Sequence, residues 1–336
     1  QKILESTLKE IKIKSLMNLK KPKFWDQKKI SIWAIIFFPL SIIYQFIFRV
    51  NKAFKPLKKF NIPIICVGNI YLGGTGKTPL TRKIFNIIKS LNKNPAIIKK
   101  PYAYLNDEIK MLKNTGKIYM MRDRSTSISL SVSDNHDVVI LDDGFQDFSI
   151  KPNFSILCFN SNQLIGNGFV IPSGPLREDF SSIKRADCIF INGYKNLNFE
   201  NKIREVNKNA KIFYSKYKVK NLYKFENKNV IAFAGIGNPQ NFFELLKENN
   251  INIKKTISFP DHHNYSEKDY NSIIAEKLMF TNLKTNEENE QSVLLLTTEK
   301  DYCRLDDNMK KSFDYVEVDL EIEDNNEFVN LIKSKL

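Results

Sequence analysis

The sequence predicts an α/β protein: a P-loop-containing three-layer α/β/α domain, a second smaller α/β/α domain, and an N-terminal membrane-associating helix. Three observations carry this expectation. From residue 61 onward short apolar runs alternate with helix-patterned stretches, as in parallel sheets covered on both faces. A glycine-rich loop sequence follows the first of those runs. A stretch without charge precedes it.

Taken in chain order, residues 1–29 are polar and Lys-rich, with apolar positions at Ile3, Leu4, Leu8, Ile11, Leu16 and Leu19 that suit a partial helix. Ile30 to Phe48 carries no charge and lies between Lys28/Lys29 and Arg49, Lys52, Lys55, Lys58 and Lys59. That is close to the roughly 20 residues a helix needs to cross a bilayer. Pro39 interrupts its centre, and Ser31, Ser41, Tyr44 and Gln45 dilute its apolar character. Basic flanks at both ends give no orientation, and no small-residue cleavage site follows, against a signal peptide. The segment reads as a monotopic membrane helix, with a full span as the alternative.

Strand-like runs follow at Pro63–Val67, Ala96–Ile98, Lys117–Met121, Val138–Leu141, Ser155–Phe159 and Cys188–Ile191, then at Val230–Ala234, Thr256–Phe259, Val293–Leu296 and Tyr315–Val318. Helix patterns lie between them, at Pro79–Leu91, Asn241–Asn249 and Glu267–Met279. The Lys- and Asn-rich stretch 193–228 is the expected seam. The organisation is therefore a basic extension with a membrane helix (1–60), a nucleotide-binding domain (61–192), a linker (193–228) and a C-terminal α/β domain (229–336).

Across 336 residues, 52 Lys and Arg face 37 Asp and Glu, a net charge of +15, which favours anionic partners. The lysines are dispersed and no nucleic-acid-binding motif is present, so the expected anion is not nucleic acid. Cys66, Cys158, Cys188 and Cys303 are far apart, with no CxxC pair and no His at ligand spacing. They read as reduced cysteines of a cytosolic protein, not disulfides or zinc ligands.

The strongest chemical signal is Val67-Gly68-Asn69-Ile70-Tyr71-Leu72-Gly73-Gly74-Thr75-Gly76-Lys77-Thr78-Pro79. A strand pattern runs into a glycine-rich turn and a helix begins at Thr78, a context in which backbone N–H groups and a helix N-terminus cradle phosphates. Tyr71 stands where the strict motif has Gly. Lys77 suits the β- and γ-phosphates of ATP, and the Thr78 hydroxyl suits Mg²⁺. In Val138 to Gln146 an apolar strand ends in Asp142 and Asp143, at the sheet edge where a carboxylate can hold a nucleotide's Mg²⁺. These residues point to nucleotide binding, but kinases, GTPases, motors and partition ATPases all use such loops.

Read together, six segments resemble the tetraacyldisaccharide 4'-kinase family. They are Val67–Pro79, Leu141–Gln146, Gly166-Asn167-Gly168 with Pro172–Glu178, Gly235–Pro239, Phe259–His263 and Leu296–Asp301. The resemblance covers roughly residues 30–305. It implies two α/β/α domains with the active site between them. It also implies transfer of the ATP γ-phosphate to the 4'-hydroxyl of a tetraacyldisaccharide 1-phosphate, an anionic glycolipid, giving lipid IV-A at the cytoplasmic face of the inner membrane. Two segments depart from the family pattern: Lys99 to Glu108 is short and lacks its glycines, and Asp147 replaces the usual His.

The resemblance implies that Asp107 works with His262 on the acceptor hydroxyl. Tyr71, Leu72, Gly73, Gly74, Thr75, Gly76, Lys77 and Thr78 are the expected nucleotide-binding residues. Arg177, in a Pro/Gly-constrained loop, is a candidate for gripping either the nucleotide phosphates or the acceptor's anionic end, and Gln146 is an expected substrate contact. Thr78 and Asp142, with Glu108 next, are the expected Mg²⁺ ligands. The competing expectation is a P-loop switch ATPase of the partition or metal-insertion type.

Overall fold

A computed structural model describes residues 21–27, 29–101, 106–282 and 293–336. The partial helix expected in residues 1–29 lies largely outside the described residues, as do Tyr102 to Leu105 of the shortened segment.

The elements, in order, are α1 (Ile32–Ala53), β1 (Ile64–Gly68), α2 (Lys77–Ser90), β2 (Pro95–Ile98), α3 (Asn106–Lys113), β3 (Ile118–Tyr119), α4 (Arg124–Ser133), β4 (Val138–Asp142), β5 (Phe154–Asn160), β6 (Cys188–Asn192), α5 (Leu197–Val206) and β7 (Lys211–Val219). The chain continues through β8 (Asn229–Ala234), α6 (Pro239–Glu248), β9 (Asn252–Ser258), α7 (Glu267–Asn282), β10 (Val293–Thr298), α8 (Glu299–Tyr302), β11 (Asp314–Val316), β12 (Val318–Ile322) and α9 (Asn325–Lys333).

Two sheets result. The larger runs β12-β7-β6-β5-β1-β4-β2-β3, and β12 is antiparallel to β7 while the other pairings are parallel. Strands β1, β4, β5 and β6 are buried at every position, so they read as continuous apolar runs without alternation. The chain leaves β1 for β2 on one side and later returns to β5 on the other, which puts a topological switch point at the C-terminal end of β1. The smaller sheet, β11-β10-β8-β9, is parallel throughout. Separate apolar clusters fill the two faces of each sheet, giving two three-layer bodies.

Sheet membership differs from the expected boundaries. The stretch expected as a linker contains α5 and β7, and β7 joins the larger sheet beside β6. The C-terminal residues also return to that sheet through β12. Lys211, Lys216 and Lys218 obscured β7: they lie on a strand near the sheet's edge, where Phe213 and Tyr214 turn inward. The smaller body is thus inserted between β7 and β12.

Helix α1 keeps Pro39 within its length, and Ser31 caps its start by accepting from Trp33 N. It is long and apolar enough to cross a membrane, and most of it is exposed, including Ile35 at 62% and Phe46 at 68%. One narrow side touches the larger body. Ala34 and Ser41 are buried, the Ser41 hydroxyl donates to Val170 O (2.8 Å), and Tyr44 donates to Arg177 O (3.2 Å).

Helix α9 closes the larger body. Phe328 is fully buried, its ring 5.2 Å from that of Phe213 and 5.6 Å from that of Phe190. Phe328→Ala should therefore destabilise the protein by about 3–5 kcal/mol. The loss should appear in urea denaturation as a lower midpoint, and it should be felt at the nucleotide site although residue 328 follows the entire smaller body in sequence.

Candidate active site

Phosphate binding starts from the backbone. Gly76 adopts φ +88° as the residue before α2, and Gly73 adopts +149°, conformations that L side chains rarely take. A Cβ at Gly76 would also stand 3.2 Å from the Tyr217 hydroxyl. Asn69 fastens the loop from within, its amide donating to Tyr71 O (2.6 Å), Gly73 O (3.2 Å) and Thr75 Oγ1 (3.0 Å). The loop therefore keeps its curl without a ligand. The Tyr71 side chain is fully buried and donates to Asp26 in the segment before α1, so only its backbone is available to phosphate.

Loops at the C-terminal ends of both sheets meet over this turn. Asp143 follows β4 with φ +55°, 3.8 Å from Lys77 Nζ, and accepts from Arg177 Nη1 at 2.9 and 3.1 Å. Burial raises its pKa, and Lys77 and Arg177 outweigh that, holding the carboxyl well below the usual range. The phosphate-loop lysine is thus paired with Asp143. Asp142 is fully buried, accepts from Thr81 (3.1 Å), and is bonded to Lys99. Lys99 Nζ also donates to Glu108 (2.8 Å). Burial raises the Glu108 pKa, but Lys99 and Lys300 bring it down to about 2.

The smaller body contributes Arg304, Lys300 and His262. Arg304 bonds Asp107 Oδ2 through Nε (2.9 Å) and Nη2, and its Nη1 donates to Gly235 O (2.7 Å) and Asp301 Oδ1 (2.8 Å). His262 Nδ1 lies 3.6 Å from the same Asp107 oxygen and 3.3 Å from Arg304 Nη2. Those neighbours make opposite demands: the carboxylate requires a proton on Nδ1, and the guanidinium requires a lone pair there. Burial pushes the Asp107 carboxyl up, and the His262 ring, Lys300 and Arg304 reverse this, keeping it ionised far into acid. Asp107 Oδ1, by contrast, is buried and has no hydrogen-bond partner among the described residues. The arrangement holds one carboxylate oxygen fast.

Geometry reassigns several expected roles. Gln146 donates to Asn69 O (2.9 Å) and Glu178 (3.0 Å) and accepts from Arg177 (3.3 Å), so it ties the phosphate-loop strand to the Arg177 loop. Asp147, where the family pattern has His, accepts from Arg124 (2.9 Å) and faces Lys100 at 3.4 Å. Arg124 in turn donates to Asp143 O (2.7 Å), so Asp147 supports the turn that presents Asp143. Lys99, Lys300 and Arg304 were not singled out from sequence: each is one basic residue in a chain with 52 of them.

Known proteins resemble this chain over most of its length. The family model described as LpxK, tetraacyldisaccharide-1-P 4'-kinase, matches residues 33–105 and 99–336. This chain belongs to the tetraacyldisaccharide-1-P 4'-kinase family. A tetraacyldisaccharide 4'-kinase of Pelagibacter ubique is 39% identical over 321 residues, covering 94% of this chain and 98% of the relative. One from Rickettsia canadensis is 32% identical over 341 residues, covering 96% and 98%. The fold matches the crystal structure of LpxK from Aquifex aeolicus in complex with ATP, with a TM-score of 0.66 at 23% identity over 90% of this chain and 99% of that one.

For this kinase family member, Mg²⁺ fits the residues present. Thr78, Asp142 and Glu108 offer only hard oxygen donors, and the two carboxylates already converge on one cation, the Lys99 ammonium. Among the described residues no three His, Cys, Asp or Glu side chains gather as a metal site.

Arg304 makes two hydrogen bonds to Asp107, so Arg304→Met should lower kcat on the order of 10²-fold. It should also shift the acid limb of the kcat–pH profile upward, because Asp107 loses a cation that depresses its pKa and protonates at higher pH. Arg304→Lys should restore part of both effects.

Proposed function

We propose that this chain transfers the γ-phosphate of ATP to the 4'-hydroxyl of a tetraacyldisaccharide 1-phosphate, giving lipid IV-A. The observation that carries the residue assignments is the meeting of Asp107, His262 and Arg304 across the two bodies, above the phosphate loop that holds Lys77.

Phosphoryl transfer needs positioning and charge neutralisation more than covalent chemistry. The loop amides and Lys77 hold the β- and γ-phosphates. When bound, Mg²⁺ draws charge off the phosphate oxygens, and Thr78, Asp142 and Glu108 are the residues that would hold it. Arg177 neutralises charge beside Asp143. Asp107 accepts the hydrogen bond of the attacking hydroxyl and orients it. A carboxylate of such low pKa is a weak base, so the proton transfers late, when the hydroxyl oxygen has become acidic through bonding to phosphorus. His262 holds the Asp107 carboxylate in place and tunes its basicity.

The acceptor is an anionic glycolipid, and two features suit it. A pocket of about 310 Å³ lies beside α1, lined by Arg49, Lys52, Arg177, Lys184, Arg185 and Phe48 and by Glu178 and Asp179, which pair with Arg185 and Arg49. A surplus of cations and an apolar wall thus adjoin Arg177, the partner of Asp143. Helix α1 is fastened to the protein at mid-length through Ser41, which suits a helix lying in the membrane interface better than one crossing the bilayer. The proposed location is the cytoplasmic face of the inner membrane.

The test is a kinase assay with [γ-³²P]ATP and tetraacyldisaccharide 1-phosphate in mixed detergent micelles. Transfer should depend on the acceptor and fall by about 10²-fold or more in Lys77→Ala. Asp107→Ala and His262→Ala should lower kcat with little change in ATP affinity, and the double variant should be hardly worse than the more damaging single one. Full turnover of ATP without acceptor would instead favour a switch ATPase.

Membrane attachment has its own readout. Full-length protein should sediment with anionic vesicles and resist moderate salt, because apolar insertion is not screened. Ile35→Ser with Phe46→Ser, both on the exposed side of α1, should weaken this by about tenfold or more. Complete release of the wild type by salt alone would reduce α1 to an electrostatic tether.

A further inference from the structure

Asp142 and Glu108 are not open acceptors. Lys99, at the end of β2, is 2% exposed and donates to Asp142 Oδ2 and Glu108 Oε2. Asp142 Oδ1 accepts from Thr81 (3.1 Å), and Glu108 Oε1 faces Lys300 at 3.5 Å. Each oxygen of the pair therefore already has a hydroxyl or an ammonium. A buried lysine is tolerable only when paired, and a buried carboxylate likewise, so the three groups hold one another in place.

An ammonium bonded to both carboxylates and a divalent ion bonded to both cannot coexist at those two oxygens. Free Mg²⁺ gives up its water reluctantly, and here it would compete with a cation of the same chain whose effective concentration is high. Nucleotide changes that balance. Its phosphates bring negative charge beside Lys77, and the fields of Lys77 and Lys99 reach the same carboxylates, Glu108 and Asp143. The triphosphate thus offers the ammonium another partner while adding oxygen donors for the metal.

We infer that Lys99 is a resident counter-cation that closes the Asp142–Glu108 pair to free divalent metal until nucleotide is bound, so that the enzyme takes its metal with the nucleotide and not before it. This rests on the reading of Asp142 and Glu108 as metal ligands. Lys99 is a positioning residue in this scheme, and its removal should create a binding event that the wild type lacks.

The probe is Mn²⁺, titrated without nucleotide against detergent-solubilised full-length protein and followed by electron paramagnetic resonance of the free ion. Wild type and Lys99→Arg, which keeps a cation, should bind weakly. Lys99→Met should bind Mn²⁺ about tenfold more tightly or better, because two carboxylates stripped of their ammonium attract a dication strongly. Lys99→Met should also melt at lower temperature and recover when Mn²⁺ is added. Lys99→Gln, the milder change, should give the same Mn²⁺ result where Lys99→Met folds poorly. Adding Asp142→Asn to the Lys99 variant should abolish the gain.

A folded Lys99 variant with no gain in Mn²⁺ binding overturns the inference, as does wild-type protein that binds nucleotide-free Mn²⁺ as tightly as the variant. Failure of the ligand reading looks different: Asp142→Asn and Glu108→Gln would each leave the Mg²⁺ dependence of ATP binding unchanged.

Discussion

The cost of burying charge is the constraint on which the rest of this molecule depends. Asp107, Glu108, Asp142 and Asp143 all lie at the C-terminal edge of the larger sheet, and none could stay ionised there alone. Each is matched: Asp143 by Lys77 and Arg177, Asp142 and Glu108 by Lys99, Asp107 by Arg304 with Lys300 beside it. The partners come from the phosphate loop, a strand end, a distant loop and the smaller body, so neutralising these acids fixes four parts of the fold relative to one another. Arg304 also answers Asp301, so five cationic side chains serve five carboxylates.

What the sequence made legible was local. The glycine-rich turn, the strand ending in Asp142 and Asp143, and the Phe259–His263 segment each announce themselves within a few residues, because strand ends and tight turns impose composition on their immediate neighbours. Most strands of both sheets could be read for the same reason. Lys99, Lys300 and Arg304 are defined by partners far away in the chain: Arg304 and Asp107 are separated by 197 positions. In a chain so rich in lysine nothing marks the one that is buried. Asp147 was a puzzle from sequence, where it looked like a lost histidine, and only its pairing with Arg124 and Lys100 gives it a purpose.

Helix α1 repeats the lesson. Ser31, Ser41 and Tyr44 look like flaws in an apolar segment. Ser31 is the N-cap, while Ser41 and Tyr44 are the bonds that hold the helix along the larger body. Polar residues in a greasy helix are costly unless satisfied, and here their spacing identifies the side turned toward protein and away from solvent or lipid.

The smaller body leaves the larger one after Val219 and returns to it at Val318. The two crossing strands are stitched to each other where they pass: Lys220 N donates to Glu317 O (2.8 Å), Glu317 N donates to the Asn221 side chain (3.0 Å), and Asn221 Nδ2 donates to Tyr315 O (2.9 Å). A body hung from a single tether can tumble, whereas one pinned by two adjacent, cross-linked strands swings about one line like a door on its hinge. Two such strands leave the smaller body fewer orientations than one would, which favours the register in which Arg304 meets Asp107.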